Sequence, residues 1–314
     1  MPLIERLSGA MASSGAYAAI ARIVSEGRDA TVAAPGLVRP LLTAALFHEK
    51  PGPILVVLAG EEAAERFARQ AAAFLEPGTV LRFPERQAAP WSNEAPDIAE
   101  VTRCARALHA LSSGHAAIVV ASARALLRAL PPQGGRVFDP LVLEAGVSLD
   151  MVAAAATLSR MGYERADVAG EPGQFAVRGG TLDVYPGDGS QPLRAEFLGD
   201  EIETLRRFVP STGQSIGDAG RSEVFCCREV ALSTRAALRA QRALGARALK
   251  NPELAHHLEL MTQGVYFNGI ERYLPYLYEQ QGTLTDYLSA DTLIVVAEPR
   301  SLFDDATRRF EELT

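Results

Sequence analysis

Two uninterrupted apolar runs of strand length, Ile54 to Leu58 and Ala116 to Ala121, constrain this chain most. A strand with one wet face alternates apolar and polar residues, whereas a strand apolar on both sides must be covered on both sides. Between and around these runs lie segments with helical apolar spacing: Ala16 to Glu26, Val38 to His48, Glu61 to Phe74 and Ile98 to Leu111, with a further short strand at Val80 to Phe83 and a short apolar stretch at Ala30 to Ala33. The alternation predicts an α/β domain with a parallel sheet covered by helices.

The rhythm breaks at Pro131-Pro132-Gln133-Gly134-Gly135. Beyond this turn-forming stretch, Ser148 is the expected N-cap of a helix over Leu149 to Met161 that stops at Gly162. Segments with two-residue periodicity follow at Gln174 to Arg178, Thr181 to Tyr185, Leu193 to Phe197 and Ile202 to Phe208, separated by Gly179-Gly180 and Pro186-Gly187-Asp188-Gly189. They predict a small antiparallel sheet with a helix, an α+β domain. Helical spacing returns over Thr234 to Leu249 and Pro252 to Met261, then an aromatic stretch from Tyr266 to Tyr278, the apolar run Leu293 to Ala297 and a helix over Leu302 to Leu313. The expected organisation is one α/β domain split in sequence, with parts at 1–136 and 228–314, by an inserted α+β domain at 137–227. The aromatic stretch suits a core, or a contact between the halves of the split domain, better than base stacking, because basic residues do not interleave with it.

At 314 residues the chain is long enough for two or three cores. Its 31 basic against 38 acidic residues give a net charge of −7, so weak or no duplex binding is expected, since tight binding rests on a positive surface that releases counterions. No apolar run is long enough for a bilayer span, and Met1 to Ser14 lacks a signal-peptide pattern, so the expected location is the cytoplasm. Cys104 stands alone and Cys226 and Cys227 are neighbours, as are His256 and His257, so neither pair has the spacing of a metal or thiol redox site. No metal and no cofactor are expected.

A strand leading through a loop into a helix is where a phosphate-binding loop sits, and Ala33 to Pro40 occupies such a place. Where G-x-x-x-x-G-K-[ST] has its glycines, lysine and hydroxyl, this chain has Ala33, Val38, Arg39 and Pro40. A β-branched side chain replaces bare backbone, a fork replaces a compact ammonium, and proline removes both an N–H and the magnesium hydroxyl. Late in the chain, the apolar run Leu293 to Val296 leads into Ala297-Glu298-Pro299, where a nucleotide hydrolase has Asp-Glu. These read as a degenerate phosphate loop and a degenerate Asp-Glu motif. The acid pairs Asp200-Glu201 and Glu311-Glu312 read as solvated, and no other catalytic constellation is present, so no catalytic residue is assigned.

The stretch Met161-Gly-Tyr-Glu-Arg-Ala-Asp, then Glu171 through Pro186, then Pro192 through Phe208, resembles the domain shared by UvrB and the bacterial transcription-repair coupling factors. Looser matches are Phe83-Pro-Glu to Pro90-Trp91, Gly269 to Pro275 and Leu284 to Leu288. UvrB keeps a working ATPase loop, and the coupling-factor copy is a degenerate RecA-like relative of it. The resemblance therefore implies an N-terminal, non-catalytic piece of a coupling factor, without its polymerase-binding domain and translocase motor, whose inserted domain binds UvrA. The alternative is a UvrB-like ATPase that binds damaged DNA.

Alternation along Leu193 to Leu198 places Leu193, Ala195 and Phe197 on one side and Arg194, Glu196 and Leu198 on the other. Spacing alone suits Arg178 and Arg194 pairing across the sheet with Asp183, Glu196 or Asp200 and merely keeping it soluble. The resemblance implies instead that Arg178, Arg194 and a residue at Leu198 contact UvrA, with leucine standing where the family has an aromatic. It also implies that the same face can be masked by another domain of the parent protein.

Overall fold

In the computed structural model, residues 14–86 and 93–313 are described, so Pro90 and Trp91 of the looser match lie outside the described residues. The strands run β1 (Pro53–Leu58), β2 (Val80–Phe83), β3 (Ala117–Ser122), β4 (Leu141–Glu144), β5 (Glu164–Arg165), β6 (Gln174–Arg178), β7 (Thr181–Val184), β8 (Leu193–Leu198), β9 (Glu201–Phe208), β10 (Ser215–Asp218), β11 (Arg221–Val224) and β12 (Leu293–Val296). The chain divides into two compact units. The first is drawn from residues up to Phe83, from Ser113–Arg124 and from Ser289 onward, the second from Pro84–Ser112 and Ala125–Leu288.

In the first unit four strands form a parallel sheet in the order β12-β1-β3-β2. Every residue of β1 and β3 is buried, as their unbroken apolar sequences require. The helix Glu61–Ala72 lays Ala64, Phe67, Ala68 and Ala71 on Ile54, Val56, Ile118 and Val120. Those four recur at helical spacing, which is why this stripe and no other faces the sheet. The acids Glu61 and Glu62 fall in the first turn, where the helix dipole favours negative charge. A smaller cluster joins Tyr17 and Ala21 of Gly15–Ser25 to Ala45 of Val38–Glu49.

One expectation fails here: residues 29–35 form no strand. Ala30 to Ala33 is exposed, with no sheet edge among the described residues recruiting it, and so short a stretch without a partner strand cannot satisfy its backbone groups by pairing.

In the second unit six strands run in the order β10-β9-β8-β7-β6-β5, antiparallel except for the β5–β6 pair, and β11 pairs with β4. Leu182, Val184, Leu193, Ala195, Ile202 and Leu205 line one face and pack with Ala154 and Leu158 of the helix Met151–Arg160. The N-cap of that helix is Asp150, not Ser148: the Asp150 carboxylate accepts from the Ala153 N–H at 2.8 Å. Ser148 bridges to Glu201 and the Leu149 N–H donates to the Asp200 carbonyl at 2.7 Å, so both residues are held extended against β9 and the helix starts later. Gly162 ends it with φ 97°, a conformation open to glycine.

A separate cluster in this unit gathers the helices Thr234–Ala248 and Pro252–Thr262 with Ile270, Tyr273 and Leu277, so the aromatic stretch is core. The same unit holds a largely buried ion network: Glu229, 1% exposed, pairs with both Arg86 and Arg128, and Arg128 Nη1 lies 3.5 Å from Glu100 and donates to Cys104 Sγ at 3.2 Å. Gly187 sits so close to the helix Ile98–Ser113 that a β-carbon would meet Thr102 Oγ1 at 2.4 Å.

Candidate partner-binding site

The register of the second unit's sheet decides which side chains share its outer face. Ala176 pairs with Asp183, Arg178 with Thr181, Asp183 with Arg194, Thr181 with Glu196, and Arg194 with Arg206. Since alternate residues face one way, Arg178, Asp183, Arg194, Glu196, Thr204 and Arg206 all lie opposite the apolar core. A bulge at Glu196/Phe197 absorbs an extra residue of β9, so that Phe197 still meets Ile202 on the core side and Leu198 pairs with Glu201 on the outer side. The sides read from alternation along Leu193 to Leu198 are those observed.

Asp183 organises this face. It is 2% exposed, yet it carries a carboxylate, which is costly to bury unless it is paired and hydrogen-bonded. Arg194 forks onto it, Nε to Oδ1 at 2.7 Å and Nη2 to Oδ2 at 2.8 Å, and Arg178 Nη2 adds a third contact to Oδ2 at 3.2 Å. Arg194 is further fixed by donating Nη1 to the Gly213 carbonyl at 3.3 Å and by lying over the Phe208 ring, its guanidinium carbon 4.7 Å from the centroid. The hydrogen bonds that Arg194 donates to Asp183 raise the pKa of Arg194 further, so its charge is permanent.

The two arginines are thus unequal. A guanidinium has five N–H donors, of which Arg194 commits three and Arg178 one. The Arg178 side chain is 56% exposed and that of Arg194 26%. Arg178 offers donors outward, and Arg194 mainly braces Asp183. Leu198 is 72% exposed at the end of β8, and Glu196 accepts from Thr204 Oγ1 at 2.6 Å. The arginines therefore do pair across the sheet with Asp183, and most of the Arg178 fork remains accessible. Phe208 and Gly213 escaped the sequence reading; an aromatic on the polar register of β9 is the only signal that could have revealed Phe208.

The two segments compared with nucleotide-binding motifs in the sequence, Ala33 to Pro40 and Ala297 with Glu298, lie in the first unit. Val38 opens the helix Val38–Glu49, and Pro40 is buried in its first turn, where a missing N–H costs little. The Val38 N–H donates to the Pro35 carbonyl at 2.9 Å, and Arg39 Nε to the Ala34 carbonyl at 3.1 Å, next to Ala33. Arg39 Nη1 meets Glu298 Oε1 at 2.6 Å. Glu298 follows β12 with φ 53°, and the Ala297 N–H before it donates to the Val57 carbonyl at 2.9 Å. Among the described residues no group of three or more His, Cys, Asp or Glu side chains is placed to hold a metal ion. His257 stacks on Phe267 at 4.3 Å and shares its Nδ1 with the Tyr273 hydroxyl.

The face built on β6 to β9 falls inside residues 141–229, which match the family model described as the UvrB interaction domain. Over most of its length the chain is also similar to transcription-repair-coupling factors. It is 32% identical over 289 residues to the transcription-repair-coupling factor of Mycobacterium tuberculosis, covering 87% of this chain and 23% of that protein. To the transcription-repair-coupling factor of Bacillus subtilis it is 27% identical over 279 residues, 84% of this chain and 24% of the relative. The UvrABC system protein B of Chlorobaculum tepidum is similar over a shorter stretch, 29% identical over 215 residues, 62% of this chain and 31% of that protein. The chain spans about a quarter of the length of the coupling factors it matches. Among the described residues no helix is long and apolar enough to cross a membrane.

Proposed function

We propose that this chain is the non-catalytic N-terminal module of a transcription-repair coupling factor, which recruits UvrA to stalled RNA polymerase in transcription-coupled nucleotide excision repair in the cytoplasm. The observation that carries this reading is the accessible Arg178 fork on the outer face of a UvrB interaction domain, braced by buried Asp183. Arg178, Arg194 and Leu198 are the contact residues: a cation with free planar donors beside an exposed leucine is how interface anchors are commonly built.

In this reading 137–227 is an inserted UvrA-binding domain, and 1–136 with 228–314 form one degenerate RecA-like domain. Nothing there turns over nucleotide. Ala33, Val38, Arg39 and Pro40 offer neither the glycine backbone nor the hydroxyl that phosphates and magnesium need, and Arg39 is already neutralised by Glu298, beside Ala297. That pairing weighs against a UvrB-like ATPase. DNA binding by the piece alone is weak, and the UvrA-binding face is open to masking by the remainder of the parent protein.

Surface-immobilised UvrA, titrated with this chain in the presence and absence of ATP, tests the proposal. Saturable binding that Arg178→Ala weakens supports it. Absence of binding under both conditions, or binding indifferent to Arg178, overturns it.

A further inference from the structure

The helix Thr234–Ala248 carries a surface that the interaction domain does not account for. From Thr234 to Lys250 the chain has Arg235, Arg239, Arg242, Arg247 and Lys250 and not one acid, within a protein whose net charge is −7. The inner stripe of the helix, Ala236, Ala237, Ala240 and Leu244, is spent in the core. On its outer side Thr234, Leu238, Gln241, Gly245 and Leu249 recur at steps of three and four residues, the spacing of a seam that receives another helix. Leu238 is 49% exposed and Leu249 88%, with small Gly245 between them. Arg235, Arg239 and Arg242 line a groove along this seam together with Leu238, Thr234 and Glu279.

Glu279 pairs with Arg235 and Arg239, and no ion pair joins Arg242, Arg247 or Lys250 to a carboxylate among the described residues. The chemistry of the groove selects its occupant. A nucleic-acid strand would bring phosphates onto the Glu279 carboxylate and leave Leu238 and Leu249 in water. An acidic protein helix would bury both leucines, and its own carboxylates would face Arg242, Arg247 and Lys250. We infer that the outer face of the helix Thr234–Ala248 is a docking surface for an acidic amphipathic helix of another protein segment. This surface is separate from the Arg178 face and stands or falls independently of UvrA binding.

The test uses the whole chain and three fluorescent probes at about 150 mM salt, where screening still permits close ion pairs. One probe is a synthetic amphipathic helix with a leucine seam flanked by glutamates; the second is the same peptide with lysine at each glutamate; the third is a short DNA duplex. The expected result is saturable anisotropy with the glutamate peptide alone, weakened roughly tenfold by Arg242→Glu and by Leu238→Ser. Both substitutions are on exposed positions, so the thermal melting curve should not move, and Arg242→Lys should retain most of the binding. Equal binding of the lysine peptide, preference for the duplex, or indifference to both substitutions would overturn the inference.

Discussion

Arg39 and Glu298 are bound to each other. In the proposed reading Arg39 stands where a phosphate loop has its lysine and Glu298 where a nucleotide hydrolase has its water-activating acid, and their side chains meet at 2.6 Å. Each is engaged by the other, an arrangement that competes with a phosphate or an attacking water. Calorimetric titration with Mg-ATP is therefore expected to give no binding heat. A micromolar dissociation constant would contradict this, as would turnover lost on Arg39→Ala. Because the pair is 32% and 56% exposed, Arg39→Ala should cost no more than about 1 kcal/mol of stability.

Arg178 and Arg194 should separate experimentally. Arg178→Ala is expected to cost about 2 kcal/mol of UvrA affinity, roughly thirtyfold, with no change in melting temperature. Arg194→Ala should lower both affinity and melting temperature, because it leaves the buried Asp183 carboxylate with only the single contact from Arg178. Arg194→Glu should cost more again by setting like charges together. Identical behaviour of the two alanine variants would remove the distinction between an offered fork and a brace.

Glu229 is the acid shared by buried Arg128 and half-buried Arg86. Glu229→Ala strands Arg86 and Arg128 without it, and breaking a buried pair in this way costs about 3–5 kcal/mol. Urea unfolding of the variant measures it; a loss below about 1 kcal/mol would mean that water or a neighbouring acid replaces the carboxylate.

Burial pushes the Cys226 thiol up to about 12 and Cys227 to about 11, from an ordinary value near 9. A folded pKa above the unfolded one contributes stability that is complete below the unfolded value and is lost as pH rises through the folded value. The melting temperature should accordingly fall between about pH 9 and 12, and Cys227→Ser should blunt the fall. At pH 8 neither thiol should react with a disulfide reagent until the protein is unfolded.

Duplex DNA should bind this chain weakly at about 150 mM salt, given its net charge of −7. Nanomolar gel shifts under those conditions would show that a local basic surface outweighs the whole.

The sequence by itself determined the parallel α/β sheet and the two sides of β8, because strand periodicity and two-sided apolarity leave little freedom in which face is buried. Only the tertiary structure decided that Asp150 and not Ser148 caps its helix, because the backbone of Leu149 is claimed by Asp200, far along the chain. It likewise decided that residues 29–35 lie outside the sheet, which depends on partners that no local pattern encodes. The same holds for the inequality of Arg178 and Arg194. The two share a charge and a face, and what separates them is how many donors Asp183 and Gly213 consume, a matter of side-chain geometry between strands.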